Sequence, residues 1–377
     1  MTRFQVGRLL NRTALVAMAL CLGSAAASAA ADSLADQGAS AQKTRVATLA
    51  SMAHDTGESP YGGVILARDG NFYGVSHAGG AGNHGTVFRV TSAGVVSAVY
   101  SFPRGGANYT PVGTLTQGSD GALYGSEINS SYTTTALFRV TLEGQFTQFQ
   151  SFSDTSVSPL TLGRDGFLYG TTSSYGYGLG KFFRMSNTGE ITAIASFTED
   201  TLTGARGAPL EGDDGNFYMV ASSGGSSGFG GILQVSPNGT VTTMCEFPGQ
   251  GPVGGRGYGS LVYDAAHEYM WGQSYDDIWT NASYVFRYKA GAVEAIGSLG
   301  TLNAGQVAKG PDGVHFYIND RTTSLFSFAP GEARKKVAAL PGKATGTLTF
   351  NSAGTLFGTT FDGGTNDLGT VYKVKGL

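Results

Sequence analysis

One unit, repeated to the end of the chain, constrains what this sequence can fold into. Its clearest copy runs from Arg68-Asp69-Gly70 through Phe72-Tyr73-Gly74 to Gly85-Thr86-Val87-Phe88-Arg89-Val90, and closes at Val99-Tyr100-Ser101-Phe102. Asp-Gly between aromatic and β-branched runs is a strong short hairpin signal, so the unit reads as four short antiparallel strands. The aromatic before the glycine recurs at Tyr73, Tyr124, Tyr169, Tyr218, Trp271, Tyr317 and Phe357, in steps of 51, 45, 49, 53, 46 and 40 residues. Steps of that length suit a four-stranded propeller blade and exceed most solenoid repeats. A second marker keeps the same register, at Phe88-Arg89, Phe138-Arg139, Phe183-Arg184, Leu233-Gln234, Phe286-Arg287, Phe326-Ser327 and Tyr372-Lys373. The expected fold is therefore all-β, a seven-bladed β-propeller of four-stranded antiparallel blades.

The two ends of the chain complement each other. The seventh unit stops at Leu377 after its third strand, while Arg45 to Met52 stands alone before the first unit and resembles a terminal strand. The expectation is a ring closed by an N-terminal strand that completes the last blade, since closure hides sheet edges that would otherwise pair with other chains.

Residues 1–29 read as a bacterial secretory signal. Arg3, Arg8 and Arg12 precede the apolar run Ala14 to Leu22, and Ala27-Ser28-Ala29 supplies small residues for cleavage. Cys21 invites a lipoprotein reading, which Leu20 before it disfavours. Residues 30–43 read as a flexible leader, and residues 44–377 as one domain, expected to be a monomer without membrane insertion, in the periplasm or outside the cell. Loss of the signal removes three of 24 basic residues and none of 27 acidic ones, taking the net charge from −3 to about −6. With no basic stripe, nucleic acid is excluded as a partner. Only Cys245 then remains, so no internal disulfide forms, and its apolar surroundings make it a small core residue rather than a nucleophile.

The pattern Asp-Gly-x-Phe/Leu-Tyr-Gly, then Gly79-Gly80 with Gly85-Thr86-Val87-Phe88, repeated at Gly363-Gly364 with Gly369-Thr370-Val371-Tyr372, resembles the bacterial GloVer tandem repeats of exported proteins. The resemblance covers nearly all of residues 44–377 and is weakest in units five and six. It implies a propeller-like exported product and carries no chemistry of its own.

Strand order says where a site would lie. Loops between second and third strands, and those joining one unit to the next, share one face around the central channel. That face collects His54, His77, His84, Arg104, Tyr109, Glu127, Asn129, Tyr132, Tyr175, Tyr177, Arg206, Arg256, Tyr258, Tyr275-Asp276-Asp277, Trp279 and Asn319-Asp320-Arg321. Ser222-Ser223-Gly224-Gly225 in unit four is the plain form of the loop. His77 sits four residues beyond Tyr73, at the position taken elsewhere by Ser173, Ser222, Tyr275, Arg321 and Phe361, and this ring of positions should surround the channel mouth.

A histidine, a tyrosine and an arginine converging there would form an acid–base site, with His77, Tyr275 and Arg321 as catalytic residues. Arg206, Arg256, Tyr258, Tyr109, Trp279, Glu127 and His84 are the candidate substrate contacts. The combination suits β-elimination in a uronic-acid polysaccharide, and the chain resembles propeller polysaccharide lyases in architecture and residue chemistry, without a matching motif. The competing readings are a non-catalytic propeller that binds glycan or protein, and a structural export repeat. His77 reads equally as a packing residue, Arg206 and Arg256 as donors to carbonyls, and Tyr275 and Trp279 as caps on unit five. No cofactor is expected, a divalent metal at His54, His77 and His84 being the disfavoured alternative. Hydrolysis by Asp276-Asp277 with Glu127 or Asp320 ranks below elimination, because adjacent residues on a strand point apart.

Overall fold

The computed structural model describes residues 44–377 except 106–107, 175–178, 199–200, 250–252, 254, 265–267, 277–281, 302–306, 311–312, 320–322 and 329–333. The signal and leader expected at residues 1–43 lie outside the described residues. Every regular element among the described residues is a β-strand, and no helix there is long and apolar enough to cross a membrane.

The strands form a β-propeller-like arrangement of antiparallel sheets. Unit two is the plain case, with Thr110–Gln117, Leu123–Ile128, Thr134–Val140 and Phe146–Ser153 paired in order. Units three to six are likewise separate sheets, and in units three and four the innermost strand is broken into two short pieces. Seven separate blades are not what hydrogen bonding yields: five sheets stand alone, and units seven and one share a sheet of eight strands. The two halves of that sheet meet at one parallel bridge, Gly63 with Thr347, because inner strands approach closely at glycine. Arg45–Ser51 is the outer edge of the same sheet, antiparallel to Thr370–Lys375.

The repeat markers turn out to be two short-range contacts. The turn aspartate accepts the tyrosine hydroxyl in each of the first four units: Tyr73 to Asp69 at 2.7 Å, Tyr124 to Asp120 at 3.0 Å, Tyr169 to Asp165 at 2.7 Å and Tyr218 to Asp214 at 2.7 Å. In unit two, Arg139 of the second marker donates to the same Asp120 carboxylate at 2.8 Å. The glycine after the tyrosine faces the marker phenylalanine across the strands, as Gly74 does Phe88. A Cβ on Gly74 would lie 2.7 Å from the Phe88 ring, so the glycine makes room for an aromatic that fills the blade core. Unit four exchanges the pair for Met219 and Leu233, filling the same place with two aliphatic side chains instead of one ring.

Unit six corrects the reading of Tyr317. Phe316 pairs with Ser327, and Gly310 N–H donates to the Val314 carbonyl as Gly118 does to Ala122, so Phe316 holds the aromatic position and Tyr317 the glycine position. Tyr317 accordingly stacks on Phe326, with ring centroids 5.2 Å apart. The position equivalent to His77 in unit six therefore moves from Arg321 to Asp320, and both lie outside the described residues.

Neighbouring units are laced along their inner strands by hydroxyl-to-carbonyl bonds. Thr114 donates to Gly62 at 2.7 Å, Thr116 to Leu160 at 2.6 Å, and Thr347 to Gly62 at 2.9 Å. These bonds satisfy carbonyls that the blade ladders leave open.

Candidate functional site

The inner strands of units one, two, four, five and seven carry a register break at the same place. The pairing skips between Tyr61 and Val64 in unit one, Val112 and Thr116 in unit two, Tyr258 and Val262 in unit five, and Thr345 and Thr349 in unit seven. In unit four the same break follows Ala205, which pairs with Ala221, so Arg206 is the equivalent residue. A bulge re-aims the side chain beside it. The residue just before the break is thereby turned out of the blade, and Tyr61, Arg206 and Tyr258 are all exposed.

Beside Arg206 and Tyr258 lies a cleft of about 320 Å³. It is lined by Arg206, Ser222 and Ser223 of unit four, Arg256, Tyr258 and Tyr275 of unit five, and Ser173 of unit three, with backbone from Gly204, Gly257 and Gly259. Four residues expected at a site thus gather: Arg206, Arg256, Tyr258 and Tyr275. No carboxylate lines the cleft among the described residues, so two guanidiniums set its charge within an acidic chain.

The two arginines differ. Arg256, cross-strand from Tyr275, donates through Nη1 to the Ser222 carbonyl at 3.1 Å and to Ser223 Oγ at 3.4 Å. Its guanidinium also lies 5.7 Å from the centre of the Phe229 ring, so it clamps unit five to unit four. Arg206 is exposed and has no hydrogen-bond or ion-pair partner among the described residues. Ser222 and Ser223, expected in a loop but lying in the strand Phe217–Gly224, are therefore the wall that fixes Arg256. Ser173 is 2% exposed, and its Oγ has no partner among the described residues. An orphaned buried hydroxyl at a cleft wall is costly unless a ligand or water completes it. Sequence reasoning missed Ser173 as a donor, although its equivalence to His77 was legible.

His77 does not line this cleft. It lies within the strand Phe72–Ala78, half-buried, its ring centre 6.2 Å from that of Tyr61, and burial holds its pKa below the ordinary histidine value. His54 is exposed and paired with Glu58, His84 occupies a turn after Asn83, and no group of three His, Cys, Asp or Glu among the described residues is placed to hold a metal. Tyr109 is half-buried and does not line the cleft. Trp279, Asp277, Tyr175 and Tyr177 lie outside the described residues.

Glu127 sits elsewhere again. Its strand runs on to Ile128, so Glu127 alternates into the blade interior and is 2% exposed. Gln148 Nε2 donates to its carboxylate, and Tyr100 of unit one is close enough to feel its charge. Burial pushes the Glu127 pKa up to about 7, against the lowering effect of the Gln148 bond. The unfolded chain ionises this group near 4.5 while the fold holds its proton to about 7. Stability should therefore fall as pH rises across that window, by about 3 kcal/mol, and level off above it. Glu127→Gln, which keeps an acceptor for Gln148, is expected to flatten that slope in thermal melts at pH 5 and pH 8. Equal slopes in the two proteins would refute the assignment.

No family model matches the chain, and no curated protein matches it. The GloVer resemblance accordingly rests on the repeat motif alone. Solved structures do match. A streptogramin B lyase is 12% identical with a TM-score of 0.62, covering 89% of this chain and 99% of its own. A catalytically inactive virginiamycin B lyase from Staphylococcus aureus with quinupristin is 13% identical at 0.62, covering 88% and 99%. An oligogalacturonate lyase in complex with manganese is 12% identical at 0.57, covering 87% and 92%. At these identities the likeness is one of fold, and the chain shares the propeller architecture of these enzymes.

Proposed function

We propose that this chain is an exported, seven-bladed propeller, closed by the strand Arg45–Ser51, that binds a uronic-acid-containing polysaccharide at the cleft around Arg206. Seven blades follow if the eight-stranded sheet is counted as two repeat units joined at one bridge, as the seven sequence repeats suggest. The observation that carries the binding reading is Arg206, an exposed guanidinium with no partner among the described residues, in a cleft that none of the described carboxylates lines. Guanidinium matches carboxylate as a two-pronged donor, and Tyr258, 54% exposed, offers an aromatic face for a sugar ring beside it.

A second reading, β-elimination, is favoured by Tyr275 lining the same cleft. Neutralising the uronate carboxylate acidifies the neighbouring C–H. With no histidine or carboxylate among the described residues of the cleft, the Tyr275 oxygen would take that proton; the carbon–carbon double bond forms, the bond to the 4-linked oxygen breaks, and that oxygen receives the proton back from Tyr275. The oligogalacturonate lyase among the fold relatives acts on a substrate of this class, which adds to the same reading.

The test is affinity electrophoresis against a panel of acidic and neutral polysaccharides, run beside ultraviolet absorbance for the unsaturated uronate. Retardation by one acidic polymer is expected, weakened by salt. Arg206→Ala is expected to lower the affinity about 10- to 100-fold, as for loss of one charge-assisted pair. Absorbance that rises in the wild type and not in Tyr275→Phe would establish the lyase. Wild-type affinity in Arg206→Ala would overturn the proposal.

A further inference from the structure

The positions that build the cleft recur in unit one with related chemistry. Before the register break stands Tyr61 where unit five has Tyr258, and at the end of the second strand stands His77 where unit five has Tyr275. Tyr61 is 46% exposed, close to the 54% of Tyr258. No side-chain hydrogen bond joins the Tyr61 hydroxyl to any described residue. Units two and seven show the contrast, with Val112 and Thr345 before the break.

The backbone behind Tyr61 is pinned. Gly62 has φ near 97°, and a Cβ there would lie 2.0 Å from the Gly113 carbonyl oxygen. Its own carbonyl accepts hydroxyls from both flanking units, Thr114 at 2.7 Å and Thr347 at 2.9 Å. The Tyr61 ring leans on His77, with centroids 6.2 Å apart and planes at 48°. A tyrosine anchored at its base, supported on one side and open on the other loses little side-chain entropy when a ligand covers it. Such a ring takes the C–H face of a sugar and offers its hydroxyl to the ring oxygens.

We propose that Tyr61, supported by His77, is a second sugar subsite on the face that carries the Arg206 cleft, and that the ligand is an extended chain reaching both. This rests on the acidic-glycan reading of the cleft. A chain that spans two subsites binds the second one intramolecularly, so its affinity exceeds that of a fragment filling one site by tenfold or more.

Calorimetry would compare a disaccharide with a long oligosaccharide of the same polymer, using polygalacturonate, alginate and hyaluronan fragments as probes. The wild type should bind the long chain at least tenfold more tightly. Tyr61→Ala should bring the long chain down to the affinity of the disaccharide and leave the disaccharide unchanged, whereas Tyr61→Phe should keep most of the preference. Arg206→Ala should lose both ligands. Long-chain binding by Tyr61→Ala equal to wild type, with Arg206→Ala defective, would overturn the subsite alone. A wild type that binds none of the fragments would overturn the acidic-glycan reading and the subsite with it. An unchanged melting temperature for Tyr61→Ala would show that any loss is one of contact rather than folding.

Discussion

Deleting residues 44–52 is expected to destroy cooperative folding of the whole chain rather than trim an end. The strand Arg45–Ser51 pairs along its length with Thr370–Lys375, and Met52 N–H donates to the Gly369 carbonyl at 3.0 Å. Met52 is fully buried and Ala50 nearly so, in a cluster that holds Phe72, Phe88 and Val90 of unit one together with Phe357 and Val371 of unit seven. The segment thus contributes to a core shared by both ends of the chain. Burying Met52 alone is worth about 2 kcal/mol, and each ladder hydrogen bond lost adds roughly 1 kcal/mol. The total exceeds about 5 kcal/mol, comparable to the whole stability of many domains. It would also leave Thr370–Lys375 as an open edge, prone to pair with other chains. Thermal denaturation with light scattering checks this. A truncated protein that melts at the wild-type temperature without aggregating would show that the strand is dispensable.

The fold was legible where the sequence records short-range contacts. Asp69 and Tyr73, or Gly74 and Phe88, are bonded or packed partners within one hairpin, so drift at one residue is constrained by the other and the repeat stays visible. Where a partner changes, legibility fails. In unit six the adjacent aromatics Phe316 and Tyr317 offer two registers: the Tyr317 hydroxyl mimics the marker, whereas the four-residue spacing from Asp312 and the cross-strand pairing with Ser327 and Phe326 both select Phe316. The bridge that fuses units one and seven depends on a Gly63–Thr347 approach between residues far apart in sequence, which no local pattern announces.

The candidate site was partly legible for a related reason. Arg206, Arg256, Tyr258 and Tyr275 stood out as departures from plain loops, and the structure gathers them. Their division of labour was not readable, because Arg256 is tied to Ser222 and Ser223 of the preceding unit while Arg206 is left open. Glu127 was misplaced on a loop because the strand extends through it, and strand alternation then fixes its side chain inside. His77 belongs to the same ring of positions as Tyr275, yet it lines unit one and not the cleft of units three to five.

The second large effect is expected at a single buried charge. Asp264, at the end of the strand Arg256–Asp264, is fully buried, and Lys309 of unit six donates to it through Nζ at 2.8 Å. Lys309 is 28% exposed, so its ammonium reaches inward from the rim to meet a carboxylate that water does not. Removing the cation takes an ammonium partner away from a fully buried carboxylate, whose remaining contacts must then hold it. Breaking such a pair from one side costs about 3 to 5 kcal/mol, well above the value of an exposed pair. Lys309→Met keeps the apolar stem and should lose close to that amount, seen as a fall in the denaturant midpoint with an unchanged slope. Pairing it with Asp264→Asn should recover most of the loss, because the amide no longer needs a counter-ion. The exposed pair Arg164–Asp213, at 57% and 75% exposure, provides the comparison: Arg164→Met should move the midpoint by an amount equivalent to less than about 1 kcal/mol. A Lys309→Met protein as stable as wild type would mean that other groups around Asp264 carry its charge, and the ion pair would then fix only the orientation of the two strands.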